Sequence, residues 1–212
     1  MKTISSVSAL EELGRVRLSS SFFMRDFLYS EIANYHGIPN IPDDPDLAVA
    51  AGERLCRELL EPLKATFGDV TIRSAYRSSE VNGFGCAQQR EGRKGYTCGS
   101  NEKNHAKHIW DRRDALGFMG ATACIQIPWF ADRYDAGADW RSLAWWIHDH
   151  LKYSEMYFFP KRAAFNLTWS EQPKRTIKSY ISPKGLLTKP GMDGCDSDHS
   201  ACYSGFPQMV AL

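Results

Sequence analysis

His105 and His108 stand three residues apart in NHAKHIWDRRD (104–114), and Asp111 and Asp114 continue the three-residue spacing. On a 3₁₀ or short α-helical turn the four side chains would share one side, offering nitrogen and oxygen donors to a cation. The alternative for the same residues is helix-end capping and salt bridges to Lys107, Arg112 and Arg113, and this is preferred. Upstream, TIRSAYRS (71–78) delivers Arg77 from the end of an alternating apolar and polar run. Its guanidinium is a planar donor fork suited to a peptide carboxylate or a developing oxyanion; its other use is a bridge to a carboxylate such as Glu80. Downstream, the small-residue run GATACI (120–125) carries a single thiol, Cys124.

These groups need elements to position them. Val70 and Ile72 alternate with polar residues, which predicts a strand at 70–73. Before it, Asp44 as cap and Pro45 at the first position predict a helix with a stripe of Leu47, Ala51, Leu55, Leu59 and Leu63, kinked by Pro62 and ended by Gly68. A shorter helix is expected after a Ser21 cap, with Phe23, Phe27 and Ile32 on one face and its end near Gly37. Residues 83–104 are polar and Gly-rich and predict a long surface excursion. IQIPWF (125–130) reads as a strand closed by Pro128, and Asp139 caps a helix over 139–151. Strand-like runs at 154–159, 164–169 and 176–181 suggest an antiparallel meander. The expectation is a single α+β domain, a small antiparallel sheet packed with helices over 18–181, with an N-terminal arm at 1–17 and an irregular tail at 182–212.

The chain's 212 residues suffice for one domain with a buried core. With 26 basic and 25 acidic side chains it lacks the basic surplus of a nucleic-acid binder. No apolar run is long enough for a membrane span, and the first residues lack the apolar core of a secretory signal. Cys86/Cys98 and Cys195/Cys202 bracket polar loops, as disulfides do in oxidising settings and as thiols or metal ligands do in reducing ones. The tail phrase CDSDHSAC (195–202) invites a metal reading but fits a disulfide-closed turn better. Trp110, Trp129, Trp145, Trp146 and Trp169 could line a glycan groove; core and rim positions are the preferred reading.

The order LSSSF (18–22), IPN (38–40), LLEPLK (59–64) and then SAYRSSEVN (74–82) resembles the zinc D-alanyl-D-alanine carboxypeptidase family, which shares its fold with the hedgehog signalling domain and phage cell-wall peptidases. The resemblance spans about residues 18–180, and SAYRS…VN is its most specific part. It implies a hedgehog/DD-peptidase-like fold acting on peptidoglycan peptides, with Ser74, Tyr76 and Arg77 on the substrate. It also implies zinc held by His108, or less favourably His105, by the residue at Cys124 where the family has aspartate, and by the residue at Asn166 where the family has histidine. Glu155 is the nearest carboxylate for the catalytic base, with Glu171 the other option, and His148 or His150 is the alternative for the missing ligand.

A neutral amide is a poor zinc ligand. The expectation is therefore a peptidase-like domain that has lost its zinc and serves as a structural or cell-wall-binding component of a phage particle, in a virion or an infected cell, among other virion proteins. Two alternatives stand: an active zinc peptidoglycan peptidase, and a metal-free adaptor binding a protein through 83–117. Without a phage setting, a cytoplasmic protein is expected.

Overall fold

The computed structural model describes residues 4–210, which form one α+β domain built on a six-stranded sheet. The strands are β1 (Thr71–Ser74), β2 (Gly120–Gln126), β3 (Glu155–Phe158), β4 (Phe165–Ser170), β5 (Thr176–Ser179) and β6 (Gly185–Thr188), in the order β1-β2-β4-β3-β5-β6. Every neighbouring pair is antiparallel except β3 and β5. The expected meander is thus corrected to a mixed sheet: the 171–175 connection carries the chain past β3, so β5 lands on the far side of β3 and runs parallel to it.

Alternation along the strands gives the sheet two unlike faces. Ala121, Ala123 and Ile125 on β2, Phe165, Leu167 and Trp169 on β4, and Met156 and Phe158 on β3 are buried in one apolar cluster. Helix α3 (Pro45–Leu55) packs on β2 and β4 there. Asp44 caps it as expected, Oδ1 accepting from Leu47 N at 3.1 Å, with Pro45 in the first turn. Its core stripe begins at Ala48 rather than Leu47 and continues through Ala51, Leu55, Leu59 and Leu63. Instead of a simple kink, a π-helical turn (Cys56–Leu60) absorbs the proline: the added residue leaves Pro62 in the first turn of α4 (Glu61–Phe67), where a missing N–H costs nothing. Gly68 ends it at φ 87°. Gly52 has a packing reason, since a Cβ there would meet the buried Trp110 ring at 2.9 Å.

The N-terminal arm is instead a capped helix, α1 (Val7–Gly14), with Leu13 fully buried. Ser21 caps nothing. A 3₁₀ turn (Met24–Phe27) and the separate α2 (Glu31–His36), capped by Ser30 and closed by left-handed Gly37, replace the single short helix. Ser21 instead donates its amide (2.6 Å) and hydroxyl (3.0 Å) to Glu61, alongside the Ser19 and Ser20 hydroxyls at 2.7 Å each. Burial raises the Glu61 carboxyl's pKa, but these donors outweigh it and hold it below the ordinary value. A buried carboxylate thereby fastens the LSSS phrase to α4.

The start of the expected 83–104 excursion belongs instead to α5 (Ser79–Arg90), capped by Ser78 and held to the short α6 (Asn101–Asn104) by Asn82, whose amide donates to Gly99 O and Asn101 Oδ1. Pro128 does not close a strand but opens α7 (Pro128–Asp135). Asp139 caps α8 (Trp140–His150), as expected. The tail is more than an irregular end: it adds β6, then folds back so that Phe206 packs on Phe67 (5.9 Å) and Trp129 (5.1 Å) and His199 stacks on Trp145 at 3.8 Å. All six cysteines are free thiols. No helix among the described residues is long and apolar enough to cross a membrane.

Candidate functional site

The other face of the sheet carries Thr122 and Cys124 on β2, Asn166 and Thr168 on β4, and Glu155 and Tyr157 on β3. Cys124 pairs with Ser74 on one side and Asn166 on the other, and Asn166 pairs with Tyr157. One rung therefore crosses four strands. It forms the floor of a cleft of about 520 Å³ whose walls include Arg73, Arg77, His108, Asn104 and Phe159. A bulge in β1 sets the two-residue step from Ile72 to Ser74 against one step of β2, and both Arg73 and Ser74 line the cleft.

The segment between α6 and β2 presents His108. Arg77 N donates to His108 O (2.8 Å) and Thr122 N to Lys107 O (2.9 Å), so the turn is fastened to the ends of β1 and β2. Ala106 takes a left-handed φ of 54° within it. Gly120 is required for this approach, because a Cβ there would lie 2.2 Å from Ala106 O. The buried His108 ring donates Nδ1–H to Ala75 O at 2.7 Å. That fixes the tautomer and leaves the Nε2 lone pair without a partner among the described residues. Burial first, then the Arg77 charge, lower its pKa to about 3, so the ring is neutral. Burial likewise pushes the Cys124 thiol up, against the pull of Arg73 and Arg77.

Of the residues expected to touch substrate, Ser74 and Arg77 line the cleft. Arg77 makes no ion pair with Glu80 or any other carboxylate among the described residues; its Nη1 donates to Cys98 Sγ at 3.2 Å. Tyr76 is corrected to a core residue, fully buried and edge-on to Trp110 with ring centres 6.1 Å apart. Glu155 sits one rung away in an adjoining cleft of about 210 Å³ that it lines with His108 and Asn166, with Lys107 Nζ at 2.7 Å and Lys174 Nζ at 3.5 Å. Burial raises its pKa, yet the two lysines bring it below the ordinary value, which makes it a weak base. Glu171 accepts from Met119 N away from the cleft.

His105, His108, Asp111 and Asp114 do not gather. Asp111 accepts from Asp43 N (2.7 Å), and Asp114 Oδ1 accepts from Leu116 N (2.9 Å) and Phe118 N (3.0 Å), closing its own turn. Among the described residues no three His, Cys, Asp or Glu side chains form a metal-holding group. His148 and His150 supply no replacement ligand. His148 is buried between Tyr153 Oη (2.7 Å) and Cys195 O (2.8 Å), and the His150 ring stacks on Trp146 at 4.5 Å. The cleft thus offers zinc an imidazole nitrogen at His108, a thiol at Cys124 and, in third place, the neutral Asn166 amide, which does not fit the three or four strong donors zinc takes.

Arg73, Asn104, Tyr157, Phe159 and Tyr180 also line the cleft and were not singled out from sequence. Alternation along β3 was the signal available for Tyr157, since Glu155 shares its face. Trp110, Trp146 and Trp169 are buried in the core cluster, and Trp129 and Trp145 are partly buried against it. No protein-family model, no curated protein and no solved structure matches this chain, so its site is read from its own chemistry.

Proposed function

We propose that this chain is a peptidoglycan-binding domain of the DD-peptidase type that holds wall peptides without cutting them, as a component of a phage particle. The observation that carries it is the cleft-floor rung: Cys124 and Asn166 stand side by side below His108, in the places where the resemblance calls for a metal-ligating carboxylate and imidazole. The β3 carboxylate nearest them, Glu155, lines an adjoining cleft with His108 and Asn166, but Lys107 and Lys174 hold it as a weak base. What remains is recognition. Arg73 and Arg77 face the cleft without carboxylate partners among the described residues, and a guanidinium so placed suits the carboxylate of a stem peptide. The Asn166 amide has no hydrogen bond within the described residues and is free to pair with a peptide group. The phage setting rests on the likeness to phage wall peptidases alone.

The test is calorimetric titration of stem tetrapeptide into the purified chain, with Arg77→Ala beside it. Binding is expected, weakened about tenfold or more in the variant, as for loss of a charge-assisted pair. Zinc-dependent release of peptide fragments from purified sacculi, abolished by chelation, would overturn the reading in favour of a zinc peptidase. Absence of the chain from purified virions by mass spectrometry would remove the phage setting.

A further inference from the structure

Three aromatic side chains come together in the cleft with near-parallel rings. Tyr157 and Tyr180 stack with centres 4.5 Å apart and planes 16° from parallel, and Phe159 lies 5.7 Å from Tyr157 and 5.8 Å from Tyr180 at 28° and 26°. The strands enforce this. Tyr157 and Phe159 project from the same side at the end of β3, and Tyr180 N donates to Phe158 O at 2.9 Å, extending the parallel β3/β5 pairing past its last rung. The core pair Phe158 and Phe165 stacks as closely, 4.6 Å apart at 14°, but both rings are fully buried. Tyr180, by contrast, remains 49% exposed.

We propose that this stack is a saccharide subsite, which takes an N-acetylated amino sugar of a wall glycan strand while the strand's carboxylate or attached peptide reaches Arg73 and Arg77. Ring faces carry the negative lobe of the aromatic quadrupole and attract the C–H groups on one side of a pyranose ring, whereas a tyrosine edge adds a hydroxyl for the sugar's own hydroxyls. The polar complement stands in the same cleft: the Asn166 amide and the Thr97 hydroxyl line it and have no hydrogen-bond partner among the described residues. Charge complementarity selects an acidic glycan, since two guanidiniums share that wall with the single carboxylate of Glu31. The cleft's volume of about 520 Å³ is in the range of small-ligand sites.

This inference rests on the peptidoglycan reading, and the experiment separates the two. Glycan strands stripped of peptide by an amidase, and stem tetrapeptide alone, are titrated separately into the full chain by calorimetry. The stripped strands are expected to bind. Tyr180→Ala should weaken that binding about tenfold and Tyr180→Trp, which keeps a ring face, should retain it, with thermal unfolding of each variant confirming the fold. If tetrapeptide binds and stripped glycan does not, the saccharide subsite is overturned and the peptide-binding reading stands. If neither binds, both fall. Equal glycan affinity in wild type, Tyr180→Ala and Phe159→Ala would place the sugar elsewhere and also overturn the subsite.

Discussion

On one face of the sheet Leu167, Ala123 and Met156 are buried in the core, with α3 packed over β2 and β4; on the other, one residue along on each strand, Asn166, Cys124 and Tyr157 open into a cleft. The same backbone supports both, so the difference lies in the side chains and in what covers them. The apolar face is covered by a helix whose own stripe repeats at helical spacing, and its stability is dominated by burial. The polar face is covered by the turn at 104–110, held through backbone hydrogen bonds and the Gly120 approach, and its side chains keep unused donors and a free lone pair. Adjacent residues on β4 should therefore respond very differently to truncation. Leu167→Ala is expected to cost about 2–5 kcal/mol, while Asn166→Ala, with no hydrogen bond to lose, should stay within about 0.5 kcal/mol. Urea unfolding of the two variants measures this directly, and comparable losses would mean that the cleft floor is as much a part of the packed core as the opposite face.

The contrast also explains what was legible in the sequence. The α3 cap, the end of α4 at Gly68, the α8 cap and β1, β3, β4 and β5 were readable because local chemistry and periodicity decide them. The LSSS phrase was misread because its serines serve a carboxylate about forty residues away, and no local pattern announces Glu61. Helix α5 was missed since Gly83 and Gly85 argue against helix, and it is the Asn82 bonds to the distant 99–101 segment that hold it. Ser74, Arg77, His108, Cys124 and Asn166, each named from sequence, line one cleft. The burial of Tyr76 against Trp110 and the pairing of Glu155 with two lysines come from tertiary packing that no local pattern announces. The aromatic stack was invisible because it needs β5 to lie parallel to β3, a topology that alternating runs do not specify.

His108 sharpens the comparison, because it belongs to the polar face yet is buried like a core residue. In the native chain its pKa falls from the ordinary 6.5 to about 3, so between those values the unfolded chain binds a proton that the folded one does not. Stability then rises with pH, and acidification from about 6.5 towards 3 removes it. The depressed His148, buried first and then opposed by Arg175, adds to the same trend. Between pH 6 and pH 4 the His108 contribution amounts to about 2–3 kcal/mol. His108→Gln, which does not titrate, should lose that much less stability than wild type over the interval in urea titrations. Parallel pH profiles would show that water reaches the ring and that it belongs with the cleft.

The smallest effect is expected at Glu155, the polar-face carboxylate that most resembles a catalytic group from sequence. Its side chain is 28% exposed and sits between Lys107 and Lys174, an arrangement that screening limits to about 1 kcal/mol or less. Because the folded pKa is depressed, the contribution is present above the ordinary value of 4.5 and is lost as pH falls through the folded value. Glu155→Gln should therefore be slightly less stable than wild type at pH 7, with the gap shrinking in about 1 M salt and closing at low pH. Stem-peptide affinity should change less than twofold, since the carboxylate lies in the adjoining cleft and its oxygens are already engaged. A large loss of peptide affinity in Glu155→Gln would join the two clefts into one site and return this residue to the recognition surface from which its lysine partners now withdraw it.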